Sequence, residues 1–187
     1  AQSISERLAD EVLAAKVNGS VIDMQRPIQQ DTDIHFLKFD DEEGKEVYWH
    51  STSHLMAHAI KSMFPEAKFG VGPAIESGFY YDFDINKKLD EEDLRKIEQK
   101  MEAISKEDHK FERTELPKPK AVDFFKKQDD QYKLEILSEL DENNEVISIY
   151  SEGDFTDLCT GPHLPSAGKI KFVKLLSVSG SYWRGDE

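Results

Sequence analysis

Two short clusters carry residue types that could do chemistry: His50-Ser51-Thr52-Ser53-His54 and Cys159-Thr160-Gly161-Pro162-His163. Each sets two imidazole or thiol side chains four residues apart. Brought together by the fold, they would place three imidazoles and the single thiol of the chain in one pocket. That donor set suits a tetrahedral zinc ion. It also suits hydrolysis by general acid–base groups without a metal. His-x3-His on a helix is the zincin spacing, but a zincin needs Glu beside the first His as its base. Ser51 stands there, which argues against a metalloprotease. The plain alternative is that the clusters are unrelated core or surface residues.

Other residues bear on the same question. Asp157 lies two positions before Cys159, so on an extended segment both point to one face. There Asp157 could orient a histidine or a substrate amine, or it could be an exposed turn residue. Lys133 sits between Tyr132 and Leu134, and by pattern alone a lysine there is solvated. Arg184-Gly185-Asp186 has the form of an adhesion tripeptide, yet without a secretion signal it reads as an ordinary turn.

The elements that must position these residues read as α+β, because helices and strands do not alternate as βαβ units. Residues 1–39 form a small unit. Ile4, Leu8 and Val12 recur every four residues as an amphipathic helix, with Ser3 and Glu6 as a capping box. Asn18-Gly19 between β-formers predicts a type I′ hairpin, and a strand follows at 34–39. Residues 40–46 are acidic, contain Gly44, and read as a linker. A long helix is expected from about Val47 to Phe64, carrying His50, His54 and His58 on one face. Strands are expected at 68–71, 78–84, 111–114, 146–150 and 170–178. Asp90 caps a helix bearing Leu94, Ile97, Met101 and Ile104, and a short helix is expected at 120–127.

Composition narrows the classes. The 187 residues carry 38 acidic and 24 basic side chains, a net charge of −14. Such a surface repels phosphate backbones, so a nucleic acid would have to be held mainly by another domain. No apolar run is long enough for a membrane span. One cysteine allows no internal disulfide and fits a reducing, cytoplasmic compartment. The absent initiator Met suggests an excised fragment or a processed start.

The stretch from Trp49 to Glu187 resembles the editing domain of bacterial threonyl-tRNA synthetases. The resemblance rests on the His50–His58 segment, on Gly72-Pro73 with Gly78-Phe79-Tyr80-Tyr81-Asp82, on Asp157-Leu158-Cys159-Thr160-Gly161-Pro162-His163, and on Tyr182-Trp183-Arg184-Gly185-Asp186. Thr160 stands where the family often has a basic residue. Residues 1–39 resemble the later part of a β-grasp TGS domain. The resemblance implies three parts: a partial β-grasp unit (1–39), a linker (40–46), and an editing domain (47–187) with a largely antiparallel sheet and flanking helices.

What it implies about function is proofreading: hydrolysis of the ester of mischarged seryl-tRNA(Thr), with the acceptor end of tRNA(Thr) and the remainder of the synthetase as partners and no membrane. The ATP-dependent ligase core, with its own zinc, would lie outside this chain. His50 would orient or activate water, and Lys133 would protonate the leaving oxygen or stabilise charge. His54, Cys159 and His163 would complete the pocket, Asp157 would hold the serine amine or hydroxyl, and Tyr81 would line the substrate wall. In related alanyl-tRNA editing proteins the four positions His50, His54, Cys159 and His163 bind zinc, whereas the threonyl branch is described as editing without it. The expectation is therefore that no metal is required. The alternatives are a zinc-stabilised module or a tRNA-docking module without activity.

Overall fold

A computed structural model describes residues 5–140 and 146–180 of the chain. Helix α1 (Glu6–Glu11) is capped by Ser5, whose side chain accepts from the Leu8 N–H at 3.0 Å; the expected cap Ser3 lies outside the described residues. Strands β1 (Ala14–Val17) and β2 (Ser20–Ile22) pair antiparallel. Between them Asn18 and Gly19 have φ of 49° and 82°, the left-handed pair that a type I′ turn needs. β3 (Ile34–Leu37) pairs with the other edge of β1, giving the order β2-β1-β3.

Helix α2 (Glu42–Met63) begins about five residues before the expected start. The acidic stretch read as a linker is its first turn, where Glu42 and Glu43 meet the positive end of the helix dipole. Gly44 fits here for a steric reason. A Cβ on it would lie 2.0 Å from the Lys38 carbonyl oxygen, so the helix seats directly on the end of β3. From Ser51 to Ile60 every residue of α2 is buried. The polar side chains on this stretch are bonded to protein: Thr52 Oγ1 donates to the Tyr48 carbonyl at 2.7 Å, and Ser53 Oγ contacts the Gly72 carbonyl at 2.6 Å.

Two small ribbons follow, β4 (Lys68–Phe69) with β7 (Phe83–Asp84) and, packed on α2, β5 (Ala74–Ile75) with β6 (Gly78–Phe79). The strand expected at 78–84 is thus split in two. At Gly72 a Cβ would lie 2.2 Å from the Tyr81 ring, so glycine lets that ring lie on the backbone. Helix α3 (Glu91–Glu107) has the expected Asp90 cap, completed by Asp93 as a capping box, and buries Ile97, Met101 and Ile104.

The largest sheet is antiparallel, β8 (Phe111–Pro117), β9 (Val146–Glu152) and β10 (Phe155–Leu158), in the order β10-β9-β8. Its alternation separates two faces. Phe111, Tyr150, Glu152, Phe155 and Asp157 share one, as their register partners show. Ile147, Ile149, Leu116 and Leu158 share the other, with the Phe125 and Leu137 side chains of helices α4 (Lys118–Lys127) and α5 (Gln131–Glu139). The strand expected at 170–178 does not form. Backbone groups there and just before it are bonded by α3 side chains instead: Ser105 Oγ donates to the Ala167 and Ile170 carbonyls, and the Leu175 N–H donates to Glu98. Among the described residues no helix is long and apolar enough to cross a membrane.

Replacing Gly44 by alanine should normally favour a helix. Here the added methyl meets the Lys38 carbonyl, so Gly44→Ala is expected to cost roughly 1–3 kcal/mol, measured as a lower urea midpoint. An unchanged or higher midpoint would refute the close seating.

Candidate metal centre and active site

The site forms where the middle of α2 meets the end of β10. His50 and His54 lie one helical turn apart on α2. Cys159 follows β10 directly, tied to β9 by its N–H to the Ser148 carbonyl at 3.3 Å and by Ser148 Oγ to its own carbonyl at 2.7 Å. The loop then turns at Gly161, with φ of 72°. A Cβ there would lie 2.1 Å from the Tyr150 hydroxyl oxygen. This turn returns His163 to the cluster, fully buried.

Ligand atoms of His50, His54, Cys159 and His163 all lie within 4.8 Å of one another. Cys159 Sγ is 3.3 Å from His50 Nε2 and 3.3 Å from His163 Nε2. Zinc bonds to nitrogen and sulfur imply donors about 3.3–3.7 Å apart on a tetrahedron, so these contacts fit. The outer atoms of the rings are also held. His163 Nδ1 is 3.0 Å from Ser51 Oγ, His54 Nδ1 is 3.4 Å from Asp157 Oδ2, and His50 is bonded to the backbone of Pro162. Anchoring one nitrogen of an imidazole frees the other for a metal. Burial holds the His54 and His163 pKa values well below the usual range, with the neighbouring imidazoles adding to it, and burial lowers His50 as well. All three rings are therefore neutral at neutral pH, as ligation requires. Burial pushes the Cys159 thiol up to about 12, so metal binding has to displace its proton. This convergence corrects the expectation of a site that works without a metal: the four side chains make a buried zinc-type ligand set.

A second network adjoins the first through Asp157. Lys133 is only 2% exposed, and its ammonium has three partners: Asp157 Oδ1 at 2.6 Å, the Gly70 carbonyl at 2.6 Å and the Tyr81 hydroxyl at 3.2 Å. Those three bonds use its full donor capacity. The Tyr81 hydroxyl donates to Asp157 Oδ2. Burial, followed by the Asp157 charge, holds the Tyr81 pKa well above its ordinary value, so it remains a proton donor. Removing one partner of a buried ion pair typically costs about 3–5 kcal/mol, which makes this network a rigid support for His54.

All seven residues singled out from sequence, His50, His54, Lys133, Tyr81, Asp157, Cys159 and His163, thus lie in one connected region. His58 does not join them. Its two ring nitrogens contact Glu152 Oε2 at 2.5 Å and Asp154 Oδ1 at 2.7 Å. Sequence reasoning missed Ser51, Asp23 and Tyr150. Ser51 lay inside the motif and was weighed only as an absent base, while Asp23 and Tyr150 carried no local signal. A cavity of about 350 Å³ opens beside the cluster. Its wall includes His50, Pro162, Val21, Pro73 and the carboxylates Glu43 and Glu46.

Residues 147–187 match the model of the threonyl and alanyl tRNA synthetase second additional domain. The matched segment holds β9, β10 and the Cys159–His163 loop, so the chain carries part of this editing-associated domain of aminoacyl-tRNA synthetases. Over all 187 residues the chain is 55% identical to a threonine–tRNA ligase of Clostridioides difficile, covering 29% of that protein. It is 51% identical to one of Desulforamulus reducens, covering 29%, and 52% identical to one of Chlorobium chlorochromatii, covering 28%. The chain belongs to the threonyl-tRNA synthetases, as a portion spanning under a third of the length of these relatives.

His58 provides a pH test separate from the metal cluster. Burial pulls its pKa down, but the bonds and charges of Glu152 and Asp154 outweigh burial and leave it raised above 6.5. A raised folded pKa stabilises fully below the unfolded value and is lost as pH climbs through the folded one. The stability gap between wild type and His58→Gln, from urea unfolding, should be larger at pH 6 than at pH 9. An equal gap would refute the charged His58.

Proposed function

We propose that this chain hydrolyses the ester linking serine to tRNA(Thr), the proofreading step of a threonyl-tRNA synthetase. The observation that carries the reading is the convergence of His50, His54, Cys159 and His163 beside the buried Asp157–Lys133–Tyr81 network, at the wall of a cavity. A second pocket of this kind answers a physical need. Threonine exceeds serine by one methyl group, and such a difference yields only ~1–3 kcal/mol of discrimination in a synthetic site. A hydrolytic site that admits the smaller side chain and excludes the larger supplies the rest.

His50 is the member of the cluster that lines the cavity, so it meets an incoming ester and a hydrolytic water. Its pKa, lowered by burial, leaves a neutral ring, which can accept a proton only while no ion occupies its Nε2. Asp157 lies behind the cluster with its oxygens taken by Lys133, Tyr81 and the Leu158 N–H, and it steadies His54 from there. Lys133 and Tyr81 fix that carboxylate, and the Lys133 ammonium contributes positive charge where an oxyanion develops. Glu43 is paired with Lys16, and Glu46 favours an ammonium over a phosphate at the cavity, which suits the amino-acid end of the substrate. The net charge of −14 leaves the tRNA backbone to be gripped by other parts of the longer enzyme. A zinc ion held by His50, His54, Cys159 and His163 would supply fixed positive charge beside the cavity.

A second reading has one specific observation behind it. Four protein donors fill a tetrahedral shell, and closed shells are characteristic of structural zinc. On that reading the ion holds the α2–β10 junction and the chain is a non-catalytic, tRNA-docking module.

Deacylation separates the two. Release of labelled amino acid from Ser-tRNA(Thr) is expected to outpace release from Thr-tRNA(Thr), and His50→Ala is expected to slow it ~10²–10⁴-fold. Equal rates on both esters, or a His50→Ala rate matching wild type, would contradict the hydrolytic reading.

A further inference from the structure

One buried carboxylate of the N-terminal unit reaches the ligand loop. Asp23 follows β2 and is 5% exposed. Its Oδ1 accepts from the backbone N–H of His163 at 2.7 Å, and its Oδ2 accepts from the Tyr150 hydroxyl at 2.8 Å. Both bonds act on the same short loop. The Tyr150 ring meets the His163 ring edge-on, with centroids 4.5 Å apart. The Tyr150 hydroxyl also fills the space that a Cβ on Gly161 would need. Hydrogen bonds to a carboxylate are roughly twice as strong as neutral ones, and turning this side chain away would break both.

We propose that Asp23 is a positioning residue for the metal-ligating loop, through which the N-terminal hairpin unit sets the orientation of the His163 ring. The inference rests on the zinc-type reading of the four-donor set. Asp23 holds the His163 N–H and Ser51 its Nδ1, while Tyr150 meets the ring in a T-shaped contact and Phe111 stacks on it. Groups that orient a ligand in this way are typically worth 10–100-fold in metal affinity.

The rival explanation is that Asp23 merely tethers the unit, and the structure contains controls for it. Gln25 Nε2 donates to the Pro165 carbonyl at 2.8 Å, and Lys169 Nζ donates to the Ala9 carbonyl at 2.9 Å. Both join the same unit to the same part of the chain without touching a ligand.

The test is cobalt(II) titration of the 187-residue chain, following the thiolate charge-transfer band and the visible ligand-field bands. Asp23→Ala is expected to weaken cobalt binding about 10–100-fold and to change the ligand-field envelope. Asp23→Asn, which keeps an oxygen for the His163 N–H, should recover most of the affinity. Gln25→Ala should keep the wild-type spectrum and affinity while lowering the melting temperature. Tyr150→Phe removes one arm only and should show a smaller loss, so it carries the test with Asp23→Asn if Asp23→Ala does not fold. Wild-type affinity and spectrum in Asp23→Ala, with only a lower melting temperature, would reduce Asp23 to a tether. In the case where only Tyr150→Phe and Asp23→Asn fold, wild-type affinity in both would do the same. A wild-type chain that shows no thiolate–cobalt band would remove the metal reading and this inference with it, whereas binding unaffected by Asp23 removes this inference alone.

Discussion

Helix α2 is buried on every side from Ser51 to Ile60, and the rest of the structure answers to that constraint. A polar group placed there is costly unless protein satisfies it. Five polar residues nevertheless lie on the stretch, Ser51, Thr52, Ser53, His54 and His58, and each has a protein partner. Those partners come from the helix itself, from the Gly72 loop, from the β9–β10 hairpin and from the loop after Cys159. The elements around the helix are thereby held in register by its polar side chains as well as by apolar packing. Burial also strips charge from the three site imidazoles, which suits them to ligate a metal.

The two networks of the site divide the work. The cluster of His50, His54, Cys159 and His163 is uncharged, with its thiol protonated. The adjacent Lys133–Asp157 pair sits within a set of hydrogen bonds that satisfies the ammonium completely. Asp157 joins them, because it contacts both His54 and Lys133. A ligand approaching from the cavity therefore meets His50 first, with the charged pair behind it.

Much of this was legible where chemistry and periodicity agree. Helical spacing joined His50 to His54, period-two spacing placed Asp157 beside Cys159, and Asn18-Gly19 announced its turn. His58 shows where spacing fails. Each four-residue step drifts about 40° around the helix, so at i+8 the ring faces Glu152 and Asp154 instead. The linker reading failed because acidic residues suit a helix N-terminus as well as a loop. The strand at 170–178 failed because Ser105 and Glu98 on α3 took over backbone bonding there. Helix α5 and the burial of Lys133 had no local signal, and the resemblance alone placed that lysine in the site. Asp23 was invisible because its partners lie 127 and 140 residues away. On the metal, donor chemistry pointed to zinc and the resemblance pointed away from it; the geometry sides with the donors.

The central claim is that α2 and the β10 loop build one three-histidine, one-cysteine centre. X-ray absorption at the zinc edge of the zinc-loaded chain tests it most directly. The account predicts one ion per chain with one sulfur at about 2.3 Å and three nitrogens at about 2.0–2.1 Å. A shell of oxygens without sulfur, or failure to retain zinc at one equivalent, would contradict it.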